Sequence, residues 1–222
     1  MQSSTKKDSR PRGRPRAYDP EEALAHARDT FWHSGYAGTS LDDLSAATGM
    51  NRPSLYAAFG DKHALYLLTV ERYIEAGRAA MEAALDETLP LAEALLRVFD
   101  GALTWYLPPR AAQRGCLLIG TAAVEAVADE AVRERLAAGL RAFDFAFERR
   151  LRHAVQQGEL PANADPAALA RVASALLHST ALRARAGEPH ATLRATAVAG
   201  VALICGTPAQ ADPPSGTPPF RC

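Results

Sequence analysis

Cysteine, net charge and long apolar runs are all scarce in this chain, and each shortage removes a class of protein. Three cysteines occur in 222 residues, Cys116, Cys205 and Cys222. They are odd in number, far apart and not at metal-ligand spacing from the six histidines, so neither a disulfide framework nor a metal site is expected. The longest apolar run, residues 195–205, is too short to span a bilayer, and the N-terminus has no apolar stretch of the secretion-signal kind. The expectation is a cytoplasmic protein with no membrane contact. There is no G-x-S-x-G, no H-E-x-x-H and no phosphate-binding glycine loop, so neither an enzyme nor a cofactor is expected. Alternating strand patterns and internal repeats are missing too, which leaves an all-helical fold.

Net charge is zero, which argues mildly against a polyanionic partner until the charges are located. They are uneven. Residues 1–16 carry Lys6, Lys7, Arg10, Arg12, Arg14 and Arg16 against Asp8 alone, a net +5, whereas residues 17–65 set Arg28, Arg52 and Lys62 against seven acids. The first stretch has little that could be buried and is expected to be disordered when free. Within it Pro11–Arg16 spells PRGRPR, similar to the core of an AT-hook, in which Arg12 and Arg14 line the floor of a narrow minor groove; the plainer alternative is a solvated basic tail. Any DNA binding would lean on this arm and be steeply salt-sensitive.

The stretch from Thr39 to Lys62 reads as a helix-turn-helix. Ser40 can cap a short helix whose Leu41, Leu44 and Ala47 share one face, with Asp42 and Asp43 in its positive first turn. Gly49 suits the left-handed position that ends it, Met50 plugs the turn, and Asn51 caps a second helix with Arg52 and Pro53 at its start. Leu55 and Phe59 would pin that helix inward. Arg52, Pro53 and Ser54 are the candidates for base readout, with Arg52 able to pair with guanine through two hydrogen bonds and Pro53 offering only an apolar surface. At Thr39, the hydroxyl and the free N–H groups of the helix start form an anion site suited to a phosphate, although capping its own helix explains the residue almost equally well.

At these residues the chain resembles the tetracycline-repressor (TetR/AcrR) family of bacterial transcriptional regulators. The resemblance covers residues 17–77 and rests on an ordered set: Phe31, Gly35 and Tyr36 closing the first helix, Thr39 and Ser40, Gly49, then Leu55, Tyr56 and Phe59, and Asp61 with Lys62 opening a fourth. It implies an all-α fold of about nine helices. An N-terminal three-helix helix-turn-helix domain (17–77) would follow the basic arm (1–16) and precede a larger helical ligand-binding and dimerisation domain (78–205). The resemblance favours the phosphate role for Thr39 and implies backbone contacts for Tyr56 and Lys62. Its further implications are a homodimer on a palindromic double-stranded DNA operator and repression relieved by a small-molecule inducer, apolar or aromatic in view of the C-terminal composition.

Beyond residue 77 the reading rests on periodicity and breakers. Asp61 caps a helix running to about Glu87 that is shared between domains and so can transmit a signal. Pro90, Asp129 and Asp165–Pro166 begin further helices, and a last one starts near Glu188. Phe143, Phe145 and Phe147 cannot share one side, so either one of them faces a cavity or a partner, or the helix is an ordinary two-sided core helix. The last two helices carry Ala173, Ala197 and Gly200, small enough for close approach across a two-fold axis. Cys116, two residues after Arg114 and near a helix start, has two readings: a thiolate of lowered pKa that senses oxidants or electrophiles, or a small buried hydrophobe. Redox sensing through Cys116 is therefore the alternative to a reversible inducer. His178 is a weaker candidate for a pocket. The tail, 206–222, with five prolines, is expected to be disordered.

Overall fold

The computed structural model describes residues 19–108 and 113–206. The basic arm with Arg12 and Arg14, part of the loop before Arg114, and the proline-rich tail lie outside the described residues. The helices are α1 (Pro20–Ser34), α2 (Leu41–Thr48), α3 (Arg52–Phe59), α4 (Lys62–Ala84), α5 (Leu91–Tyr106), a short α6 (Ala123–Glu125), α7 (Glu130–Gln156), α8 (Pro166–Arg185) and α9 (His190–Ile204). A π-helical turn, Leu118–Ala122, runs directly into α6. No strand occurs among the described residues.

Local chemistry sets most of the starts. Asp19, Ser40, Asn51, Asp61, Asp129 and Asp165 each accept a backbone N–H in the first turn that follows. Each such cap stabilises its helix by about 1 kcal/mol. Helix α4 stops at Ala84, three residues before Glu87, where the sequence pattern put its end. The reason is Asp86, whose carboxylate accepts both the N–H and the hydroxyl of Thr88 at 2.8 Å and turns the chain toward Pro90.

Helix α4 packs on α1, α5 and α7, and α7 packs along α8. Phe143 and Phe147 are buried in this core while Phe145 is 66% exposed. A buried Arg150 closes the far end of the bundle. Its Nη2 donates to Leu89 O at 2.7 Å, and its Nη1 lies 2.9 Å from Glu159 Oε1, off the hydrogen-bond axis but held by charge. Glu159 Oε2 in turn accepts from Leu91 N at 2.6 Å, so one ion pair fastens the α4–α5 turn to the end of α7.

The joint between α1 and the segment 113–122 is the second fixed point. Trp32 is 1% exposed, and its Nε1 donates to Arg114 O at 3.2 Å. The Arg114 guanidinium lies over the same ring at 3.9 Å and reaches Asp29 at 3.2 Å. Gly115 follows at φ +61°, where an added Cβ would stand 2.4 Å from Ala181 O, so only glycine lets the segment lie on α8. On α4, Tyr66 donates to Thr121 Oγ1 at 3.1 Å, since the Thr121 hydrogen is already given to Leu117 O. His63 Nε2 meets Asp129 Oδ2 at 2.6 Å.

Candidate nucleic-acid interface

Helix α2 begins with a reciprocal cap: Ser40 Oγ accepts from Asp43 N at 3.1 Å, and Asp43 Oδ2 accepts from Ser40 N at 2.8 Å. The Ser40 hydroxyl, which donates to the same Oδ2 at 2.7 Å, and then the Ser40 N–H draw the Asp43 carboxyl below its usual range. The helix ends at Gly49, φ 68°, in the left-handed region. Asn51 Oδ1 then accepts from Ser54 N at 2.9 Å and starts α3. Leu44, Met50 and Leu55 are buried between the two helices, Phe59 is half-buried, and Asn51, Arg52, Pro53, Tyr56 and Ala57 are exposed together on the outer face. A short helix with one buried side and a donor-bearing N-terminal end facing solvent has the shape of a major-groove reading helix.

The predicted contacts divide on inspection. Arg52, Pro53 and Tyr56 stand on the exposed face, Ser54 at its half-buried edge, and Lys62 at the first turn of α4 with Nζ 4.4 Å from the centre of the Tyr36 ring. Thr39 is placed differently from the expectation. It is 1% exposed, and its hydroxyl donates to Gly35 O at 2.7 Å, so the side chain locks the α1–α2 turn instead of offering a free hydroxyl to a phosphate; Ser40 is the cap. Sequence reading also missed Asp42. Its carboxylate holds Arg52 through two contacts, 3.1 Å to Nε and 2.7 Å to Nη2. Ten residues separate the pair, and no local spacing signals it.

A second site lies where α4, α5, α7 and α8 meet. Tyr73, Met81, Val98, Trp105, Tyr106 and Phe143 line an apolar cleft of about 90 Å³, with Arg97 at its edge. Tyr73 stands edge-on to Trp32, ring centres 5.0 Å apart, and packs on Trp105 at 5.8 Å, so the cleft wall touches α1. Behind that wall sits Cys116, 3% exposed, accepting from Tyr73 Oη at 3.2 Å and hydrogen-bonded to the Tyr106 hydroxyl. Burial raises its pKa above the ordinary 9.0, as the buried-hydrophobe reading has it and opposite to the thiolate reading; the Arg114 guanidinium is engaged by Trp32 and Asp29. His178 is also pushed away from its charged form, chiefly by burial.

Two family models match this arrangement: bacterial regulatory proteins of the tetR family over residues 23–68, and the tetracyclin repressor-like C-terminal domain over residues 92–199. The chain belongs to the TetR family. Among relatives of this TetR-family regulator, the HTH-type transcriptional repressor ComR of Escherichia coli K12 is 29% identical over 184 residues, 83% of this chain and 88% of ComR. YezE of Bacillus subtilis 168, an HTH-type transcriptional regulator, is 32% identical over 160 residues, 72% of this chain and 82% of YezE. A solved structure of the TetR-family regulator CifR, a triple cysteine variant bound to 26-base-pair operator DNA, superposes with TM-score 0.78 at 30% identity, covering 85% of this chain and 98% of CifR. The helix-turn-helix described above is thus the DNA-binding unit of a transcriptional regulator.

Proposed function

We propose that this TetR-family protein is a dimeric repressor that leaves a palindromic operator when a small apolar or aromatic molecule enters the α4/α5/α7/α8 cleft. The observation that carries the reading is the shared wall: Tyr73 and Trp105 line the cleft, and Tyr73 packs on Trp32 of α1. A ligand that displaces Tyr73 would move the helix on which α2 and α3 are built, and release would equal its differential affinity for the two arrangements. Dimerisation is supported by apolar side chains left on the outer faces of α7, α8 and α9: Phe145, Val172, Leu182, Val198 and Leu203. Base contacts are assigned to Arg52, Pro53 and Ser54, backbone contacts to Tyr56 and Lys62, and a minor-groove contact to Arg12 and Arg14.

A second reading is favoured by the position of Cys116 against the cleft wall, bonded to two of its tyrosines. Oxidation or alkylation there would push on Tyr73 and give the same release. One titration separates the two. Fluorescence anisotropy of the reduced protein on DNA upstream of its own gene is repeated after mild peroxide and after a screen of small aromatic compounds. Release by a compound in Cys116→Ser supports the reversible inducer; release by peroxide that thiol reverses and Cys116→Ser abolishes supports the redox switch. No binding to any duplex in a random pool would overturn both.

A further inference from the structure

We propose that Asp42 is a specificity-determining residue that positions Arg52 for the base pair it reads. The inference rests on the assignment of Arg52 as a base contact. A guanidinium has five N–H groups in a rigid fork. Asp42 takes the side-on pair, Nε at 3.1 Å and Nη2 at 2.7 Å. That leaves the end-on edge, Nη1 and the second hydrogen of Nη2, unused by Asp42. Guanine O6 and N7 accept such a pair of parallel N–H groups. Holding the fork from the side restricts the rotation of a long side chain that is 54% exposed and otherwise loses that freedom only on meeting DNA.

The same carboxylate acts on sequences that lack the guanine. Arg52 held by Asp42 is a neutral pair at long range, so it adds little to the attraction for phosphates that all DNA offers. On a wrong base, Asp42 faces the groove's electronegative atoms without the hydrogen bonds that would compensate. Asp42 therefore lowers binding to random DNA while fixing the geometry on the correct site. Within residues 17–65, where acids outnumber bases, this acid is one the reading helix uses.

The test compares the full chain with Arg52→Ala, Asp42→Ala, Asp42→Asn and the double variant. Each is used in selection from a random duplex pool, then in anisotropy titrations on the selected site, its single-base variants and a random duplex at several salt concentrations. Asp42 is 76% exposed, and thermal melts followed by circular dichroism confirm that the variants fold. Arg52→Ala is expected to flatten the preference at one position of each half-site. Asp42→Ala should flatten that same position by about two- to fivefold, the range open to an exposed pair, and tighten binding to the random duplex with a salt slope steeper by about one. Asp42→Asn, which keeps one side-on acceptor, should recover part of the preference, and the double variant should be no flatter than Arg52→Ala. If Asp42→Ala sharpens the position or leaves it unchanged while Arg52→Ala flattens it, Asp42 is a mere competitor and the proposal fails alone. If Arg52→Ala weakens all sequences equally, the base-contact assignment falls and takes the proposal with it.

Discussion

Chemical labelling of Cys116 puts the interior of this regulator to a quantitative test. A thiol at the ordinary pKa of 9.0 is about 1% ionised at pH 7, and burial leaves Cys116 below even that fraction. Access is the larger barrier. Reaching the sulfur requires peeling out the segment that carries Leu117 and Leu118, both 0% exposed, and breaking the bond from Tyr73. Exposing two leucines costs at least about 3 kcal/mol, which is more than about a hundredfold in the population of open molecules. Iodoacetamide labelling at neutral pH, read residue by residue by mass spectrometry, should therefore modify Cys116 over a hundred times more slowly in the native protein than in urea. The partly exposed Cys205 serves as the internal comparison. A native rate for Cys116 within tenfold of the unfolded rate would refute the reasoning. It would also favour the redox reading over the reversible inducer, since only a segment that opens readily could present the thiolate.

Three further outcomes follow from the geometry. Ser40→Ala removes the hydroxyl arm of the α2 cap while leaving the Ser40 N–H on Asp43, and should lower stability by about 1 kcal/mol in urea titrations, with weaker operator binding in proportion to any fraying of α2. Gly49→Ala meets no atom within 4 Å but must hold φ 68°, so it should cost about 1–2 kcal/mol; an unchanged midpoint would show that the turn relaxes. Tyr73 and Tyr106 are raised well above 10.0 and Cys116 above 9.0, in each case chiefly by burial. The folded state keeps these protons where the unfolded chain sheds them, so their contribution is complete below pH 9 and is lost as pH climbs toward the folded-state values. Melting temperatures should fall steadily between pH 9 and about pH 11, and a flat profile there would contradict the burial.

What was legible in the chain was local. Ser40, Gly49, Asn51, Asp61, Asp129 and Asp165 mark boundaries because a cap or a left-handed residue acts within four positions of itself, and the structure places each as expected. The burial of Leu44 and Leu55 follows from the same periodicity. Illegible features depend on distant partners. The N–H groups ahead of Thr39 suit a phosphate or a cap, and the family resemblance favours the phosphate, whereas its hydroxyl turns back to Gly35. Arg114, two residues before Cys116, suggests a helpful cation in sequence, but a ring 82 residues from Arg114 takes that guanidinium. The cleft needs four helices to exist at all, and no segment of the chain contains it.

Helix α4 is 23 residues long, and its fixed points divide it unequally. From Tyr73 at the cleft to Lys62 is eleven residues, about 16 Å at 1.5 Å per residue. A tilt of about 5° at the cleft therefore carries the Lys62 end about 1.4 Å sideways, half the length of a hydrogen bond. His63–Asp129 and Tyr66–Thr121 lie between those two points and tether the moving end, so their stiffness opposes the stroke. Softening either contact would leave occupancy of the cleft intact while enlarging the stroke that arrives at α3.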